Sequence, residues 1–146
     1  MDPVDLRLLE LLSEDARLSL KALAGAVDMS SPAVAERLRR LQERGVIRRF
    51  TVEIDARAAG HPLEALVRVR PLPGATAMVE TWLRAQPAVL ECDRVTGEDC
   101  FVARVATRSI EELDALVAAL AAHATTHTAM VKSRPVPRRI PPLRPR

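Results

Sequence analysis

The most legible chemistry in this sequence is carried by guanidinium groups. From Glu36 to Arg49 lie six arginines and two glutamates, inside a segment (residues 1–62) that as a whole balances ten basic against ten acidic groups. A locally basic element in a neutral segment points to an anionic partner met at one place, not to general stickiness. Planar guanidiniums suit phosphate and the guanine edge, both of which accept paired N–H bonds. Arg37 and Arg40 are three apart, a spacing that a helix turns into neighbours. Ser30 and Ser31 precede Pro32 at a helix start, where hydroxyls and the positive helix end favour a phosphate. Ala33 and Glu36 share the outward side, and Arg48 and Arg49 follow the helix, placed to hold a second stretch of backbone. These eight residues are the candidate contacts to double-stranded DNA.

Other chemistry is sparse. There is no Ser/His/Asp or Cys/His constellation, no P-loop and no dinucleotide fingerprint, so no catalytic residue, metal or cofactor is expected. His123 and His127 are four apart, but Ala124-Thr125-Thr126 reads as a helix-to-strand crossing, which argues against ligation from one face. Cys92 and Cys100 are too few for a disulfide framework and suit a reducing cytosol; Cys92 reads as a small buried apolar residue. The composition, 48% hydrophobic and 28% charged, is that of an ordinary globular protein. No run approaches the roughly 20 apolar residues of a membrane span, and the acid-containing start MDPVDLRLLELL does not read as a signal peptide. A cytoplasmic protein working on the nucleoid, with no membrane partner, is the expectation.

The elements that must hold the arginines come next. Val4, Leu8, Leu11 and Leu12 recur at helical spacing behind Asp2-Pro3. Ser19 caps a short helix over Leu20, Leu23, Ala24 and Val27. After a turn at Asp28-Met29-Ser30, a third helix begins at Ser31-Pro32, buries Val34, Leu38 and Leu41, and ends at Gly45. Val46-Ile47 and Phe50 to Ile54 then read as strands of a small wing around Arg48-Arg49. Beyond the linker, strands are expected over Leu63–Arg70, Val89–Thr96, Cys100–Val105 and Thr126–Ser133. Helices are expected over Ala77–Ala85, with Trp82 in core or interface, and behind Ser109 with Glu111 and Glu112 at its positive end. That order, βαββαβ, describes an antiparallel sheet with helices on one face. The fold class is therefore α+β: a winged helix-turn-helix over residues 1–54, a linker over 55–62, a ferredoxin-like βαββαβ domain over 63–133 and a Pro/Arg-rich tail over 134–146. Residues 63–131 carry six basic and nine acidic groups, whereas 132–146 carry six basic groups and no acid.

From about Val4 to Lys132 the sequence resembles the Lrp/AsnC, or feast/famine, family of regulators. Asp5 to Leu12 is similar to the family's D-x-x-I-L-x-x-L, and Asp15-Ala16-Arg17 to its D-x-R. Leu23-Ala24 and Val27 to Ser30 are similar to L-A-x-x-V-G-L-S, with Asp28 where glycine is usual. Val34 to Ile47 (VAERLRRLQERGVI) resembles V-x-x-R-V-x-x-L-E-x-x-G-V-I. The resemblance implies an effector-binding domain after the linker, with a loop at Val95 to Phe101 that meets a small molecule, commonly an amino acid, where dimers join. On that reading Thr96, Gly97, Glu98, Asp99 and Cys100 form the loop. Gly97 permits its tight turn and exposes N–H groups to a carboxylate, and Glu98 or Asp99 meets an ammonium. Thr126 and Thr128 match the family's T-x-T and line the same pocket. The acid often found before the loop's aromatic is Cys100 here, which displaces the charge to Asp99.

The function this implies is a sequence-specific DNA-binding transcriptional regulator, not an enzyme, answering to an amino-acid effector. It would work as a homodimer that assembles to a tetramer or octamer. The alternative is an architectural DNA-binding protein without an effector response.

Overall fold

The computed structural model describes residues 1–143 and divides into two compact units, one of Met1–Val52 with the segment from Val136, the other of Glu53–Pro135. The first unit is built on three helices, α1 (Pro3–Glu14), α2 (Leu20–Ala26) and α3 (Ser31–Glu43). Each starts on a side-chain cap. Asp2 and Asp5 form a reciprocal capping box on α1, the Ser19 hydroxyl accepts from the Ala22 N–H, and the Ser30 hydroxyl accepts from the Ala33 N–H. Leu8, Leu23, Ala24 and Val34 close into a buried cluster, with Val4, Leu11, Leu12, Leu18, Val27, Met29 and Leu38 packed around it. The apolar stripe expected on the third helix is therefore the one that faces this cluster.

The ends of α2 and α3 are shaped alike. Gly45 takes φ +68°, letting the Gly45 N–H reach the Gln42 carbonyl at 2.9 Å and the Val46 N–H reach Leu41 at 2.9 Å. This is a Schellman closure, which satisfies carbonyls the helix would leave open. At the end of α2 the left-handed position is Asp28, φ 50°, and the Met29 N–H closes onto Ala24 at 3.0 Å. Asp28 stands at the position where the resemblance expects glycine, and the backbone there explains the preference.

The second unit runs β1 (Leu63–Pro71), α4 (Thr76–Ala85), β2 (Val89–Arg94), β3 (Phe101–Thr107), α5 (Ile110–Ala118) and β4 (Ala124–Met130), in the βαββαβ order. The sheet is antiparallel in the order β2-β3-β1-β4. Ala65, Val67 and Val69 of β1 and Phe101, Ala103 and Val105 of β3 point to the helix side, where they bury against Val79 and Leu83 of α4 and Leu113 of α5. Trp82 and Cys100 are half-buried beside that core. Strand alternation sends Leu66, Arg68 and Arg70, with Val102 and Arg104, to the other face, which no helix in the unit covers.

The wing strands expected over Val46–Ile47 and Phe50–Ile54 do not form a ladder; residues 48–55 run without secondary structure. The reason lies in the turn. A two-residue hairpin needs positive φ at its centre, and Arg48-Arg49 supplies none, Asp28 being the one non-glycine with positive φ among the described residues. The Ile47 N–H is moreover already used by the Leu41 carbonyl, at 3.1 Å. Smaller corrections concern strand ends. β2 stops at Arg94 and not Thr96, β3 extends to Thr107, and β4 begins at Ala124 and ends at Met130.

Candidate nucleic-acid interface and effector loop

Helix α3 presents its arginines in three different states. Arg37 is committed inside the unit: its Nη1 donates to Asp2 Oδ2 at 2.6 Å and to Asp5 Oδ1 at 2.8 Å, with Asp5 nearly buried. The Asp5 N–H and the Arg37 guanidinium hold the Asp2 carboxyl below its ordinary value. Arg37 thus ties the start of α1 to the middle of α3. Arg39 and Arg40 are surface groups that share Glu36. Arg39 Nε and Nη2 grip the carboxylate at 2.8 and 2.7 Å, and Arg40 Nε donates to Oε1 at 2.9 Å. These two guanidiniums pull the Glu36 carboxyl down to about 2. Arg44, Arg48 and Arg49 are exposed and form no ion pair among the described residues.

Of the sequence candidates, Ser30 is the cap of α3, Ser31 its first residue and Ala33 a half-buried one whose N–H donates the cap bond, so the three sit together at the helix N-terminus. Glu36 lies one turn further along and Arg40 two, coupled to each other. Arg48 and Arg49 follow the helix on irregular chain. Sequence reasoning missed the acids that hold Arg37. The signal was present in Asp2 and Asp5, two acids three apart that carry more negative charge than one helix start uses.

The loop after β2 turns at Gly97, φ +118°, and is pinned by the Val95 N–H on the Cys100 carbonyl at 2.9 Å. Thr96, Gly97 and Glu98 are exposed, Asp99 and Cys100 half-buried. Its two acids are paired within the unit: Arg68 Nη1 stands 3.6 Å from Asp99 and Arg70 Nη1 3.3 Å from Glu98. Both arginines come from the uncovered face of β1. Thr126 and Thr128 face the other way, since Thr126 is in register with Val69 and Thr128 with Val67. A single copy therefore does not bring the T-x-T residues and the loop acids together on one face. Arg68 and Arg70 were missed as site residues; their alternation with buried valines on β1 was the available signal.

Comparison with known proteins decides the family. Residues 1–48 match the family described as winged helix-turn-helix DNA-binding, and residues 64–141 match the Lrp/AsnC ligand binding domain. This chain belongs to the Lrp/AsnC family. It is similar to the transcriptional regulator LrpC of Bacillus subtilis, 27% identical over 133 residues covering 91% of this chain and 92% of that one. It is similar also to LrpA of Mycobacterium tuberculosis, 33% identical over 129 residues covering 88% and 86%. The solved structure of B. subtilis LrpC superposes with a TM-score of 0.87 at 27% identity, covering 92% of this chain and 96% of that one. A Neisseria meningitidis regulator solved as its L-Met complex shares the fold, with a TM-score of 0.85 at 21% identity over 95% and 94%. The Lrp/AsnC member described here is accordingly a DNA-binding transcriptional regulator with a ligand-binding domain, and its relatives are regulators, not enzymes.

Proposed function

We propose that this regulator reads an operator with the N-terminus and exposed face of α3 and that an amino acid acting at the Gly97 loop changes its grip or assembly. The observation that carries the reading is the unequal use of the arginines. Arg37 is spent on the fold, while Arg40, Arg44, Arg48 and Arg49 stay at the surface along the last turn of α3 and the chain after it, beyond a helix start capped by Ser30. Ser30, Ser31 and Ala33 meet the backbone and a base edge, Glu36 pre-orients Arg40, and Arg48 and Arg49 hold the flanking phosphates. Arg40 leaves Glu36 for DNA at small cost, because an exposed pair of this kind contributes little.

For the effector, support comes from the ligand-binding family match, from the name leucine response regulatory protein borne by the LrpA structure, and from the L-Met held by the Neisseria protein. The ligand takes the loop's free N–H groups for its carboxylate, and Glu98 or Asp99, released from Arg70 or Arg68, meets its ammonium. Because Thr126 and Thr128 face away from those acids within one copy, the complete pocket needs a second copy. The uncovered sheet face, with Leu66 and Val102 among its charges, supplies the surface on which a homodimer forms. A dimer, and tetramers or octamers built from it, present recognition helices to half-sites about one helical turn or a multiple apart. The action is cytoplasmic, on the nucleoid.

One observation favours the architectural alternative: Glu98 and Asp99 are already neutralised by the unit's own arginines. The deciding experiment titrates the protein against its own upstream DNA and a scrambled control at fixed salt, adding each amino acid in turn. Preference for the upstream site, shifted by one or a few amino acids, is the expected result. Equal binding to both DNAs with no amino-acid effect would establish the architectural role instead.

A further inference from the structure

We propose that the chain from Val136 on is a second DNA-contacting element, an arginine strap, extended over residues 136–143, that follows the phosphate backbone beside the helix-turn-helix. The inference rests on the DNA-binding role above and adds a surface to it. Its first ground is composition. From Val136 onward the chain holds Arg138, Arg139, Arg144 and Arg146, four prolines and no acid. Its second ground is placement. The chain leaves β4 in the effector unit, where Arg134 is anchored by Glu64 at 2.8 Å and faces Glu53 at 3.8 Å. Immediately beyond, from Val136, it groups with the three-helix unit instead. The third ground is availability. Arg138 and Arg139 are exposed and form no ion pair among the described residues, the same state as Arg44, Arg48 and Arg49 of the unit they join.

The occupant follows from this chemistry. Pro137, Pro141 and Pro142 have no N–H to give to a strand ladder, so the segment does not extend a sheet edge. Proline-spaced chain is already extended, at about 3.1 Å per residue, and loses little freedom on binding. At that rise the eight residues 136–143 reach about 25 Å, most of one turn of duplex DNA. Guanidiniums strung along that length fit a ladder of phosphates and read no sequence. The acidic groups of the effector unit are the competing partner; Arg134 pairs with two of them, but none of the described residues from Val136 on does.

The test measures DNA affinity against salt for the full chain, for a chain ending at Pro135, and for Arg138→Gln/Arg139→Gln, on upstream and scrambled DNA. Each phosphate contact contributes about 0.9 to the slope of log affinity against log salt. The truncation is expected to lower that slope by 3 to 4 (roughly 0.9 for each of four arginines), and the double variant by about 2, equally on both DNAs. The described residues from Val136 on supply none of the buried core, so thermal unfolding and oligomeric state should not change. An unchanged slope overturns the proposal, and so does a loss confined to upstream DNA. Absence of DNA binding by the full chain would instead count against the regulator reading itself.

Discussion

At the scale of single residues, two side chains separate holding the fold from touching the partner. Asp28 occupies the left-handed position that closes α2, with φ 50°. An L-residue is strained there, less so for Asp than for most, and glycine is not. Asp28→Gly should therefore stabilise the N-terminal unit by roughly 0.5–1 kcal/mol, part of the gain being offset by a freer unfolded chain. The midpoint of urea unfolding checks this, and a loss of stability would show that the aspartate does something the backbone argument misses. Arg37 and Arg40 make the complementary pair. Removing the Arg37 guanidinium strands the Asp5 carboxylate, whose side chain is 11% exposed; Arg37→Met should cost about 1–3 kcal/mol of stability. Arg40, with its side chain 66% exposed, should behave in the opposite way. Arg40→Ala is expected to leave stability within about 0.5 kcal/mol and to weaken DNA binding, by about 1–3 kcal/mol if it reads a guanine. Equal stability losses for the two variants would refute the division of labour.

At the scale of elements, the middle of α3 and the first turn of α5 tie stability to acid. Glu36 is drawn down to about 2 from 4.5 by Arg39 and Arg40. Glu112 is lowered by the Arg108 N–H and guanidinium, and Glu111 by the Ser109 hydroxyl. A carboxyl depressed in the folded state stabilises it above the unfolded value and stops doing so as pH falls through the folded one. In that interval the unfolded chain binds more protons, so stability must fall with pH from about 4.5 towards 2. Urea midpoints taken across this range should decline for the native chain and decline less for Glu36→Gln. The same elements show what a sequence can disclose. Asp2, Ser19, Ser30 and Ser109 announce their helices because a cap acts on an N–H two or three residues away. Gly45 announces the end of α3 for the same local reason. The stretch Phe50 to Ile54 has the alternation of a strand, with Val52 77% and Ile54 70% exposed, yet pairing is a property of a partner that the stretch itself cannot encode. The Arg37 clamp was hidden likewise, since its acids lie 32 and 35 residues away. Arg68 and Arg70 beside Glu98 and Asp99 depend on a strand order that periodicity alone does not give.

At the scale of the whole molecule, the uncovered sheet face decides whether one helix-turn-helix suffices. β1 and β3 put Leu66 and Val102 on that face, among Arg68, Arg70 and Arg104, while Glu91 and Asp93 of β2 stand in register with Arg104 and Val102. Basic strands at the centre and acidic groups at one edge are self-complementary, as the face of a two-fold dimer must be. Val102 lies at the middle of that pattern and outside the buried core on the helix side, so on the proposed dimer a charge placed there should strike assembly and not folding. Val102→Asp should therefore yield a folded monomer at micromolar concentration, seen by sedimentation, with the helical and sheet signals of the native chain. Its DNA binding should then report what pairing contributes. Two half-site contacts held by one dimer gain about 10²–10⁴ over a single one through effective concentration. The monomer should bind upstream DNA at least about a hundredfold more weakly on that basis, while its affinity for scrambled DNA falls far less, because phosphate contacts do not require the second half-site. A variant that stays dimeric would place the interface elsewhere. A true monomer that kept full upstream affinity would mean that each three-helix unit reads its site alone.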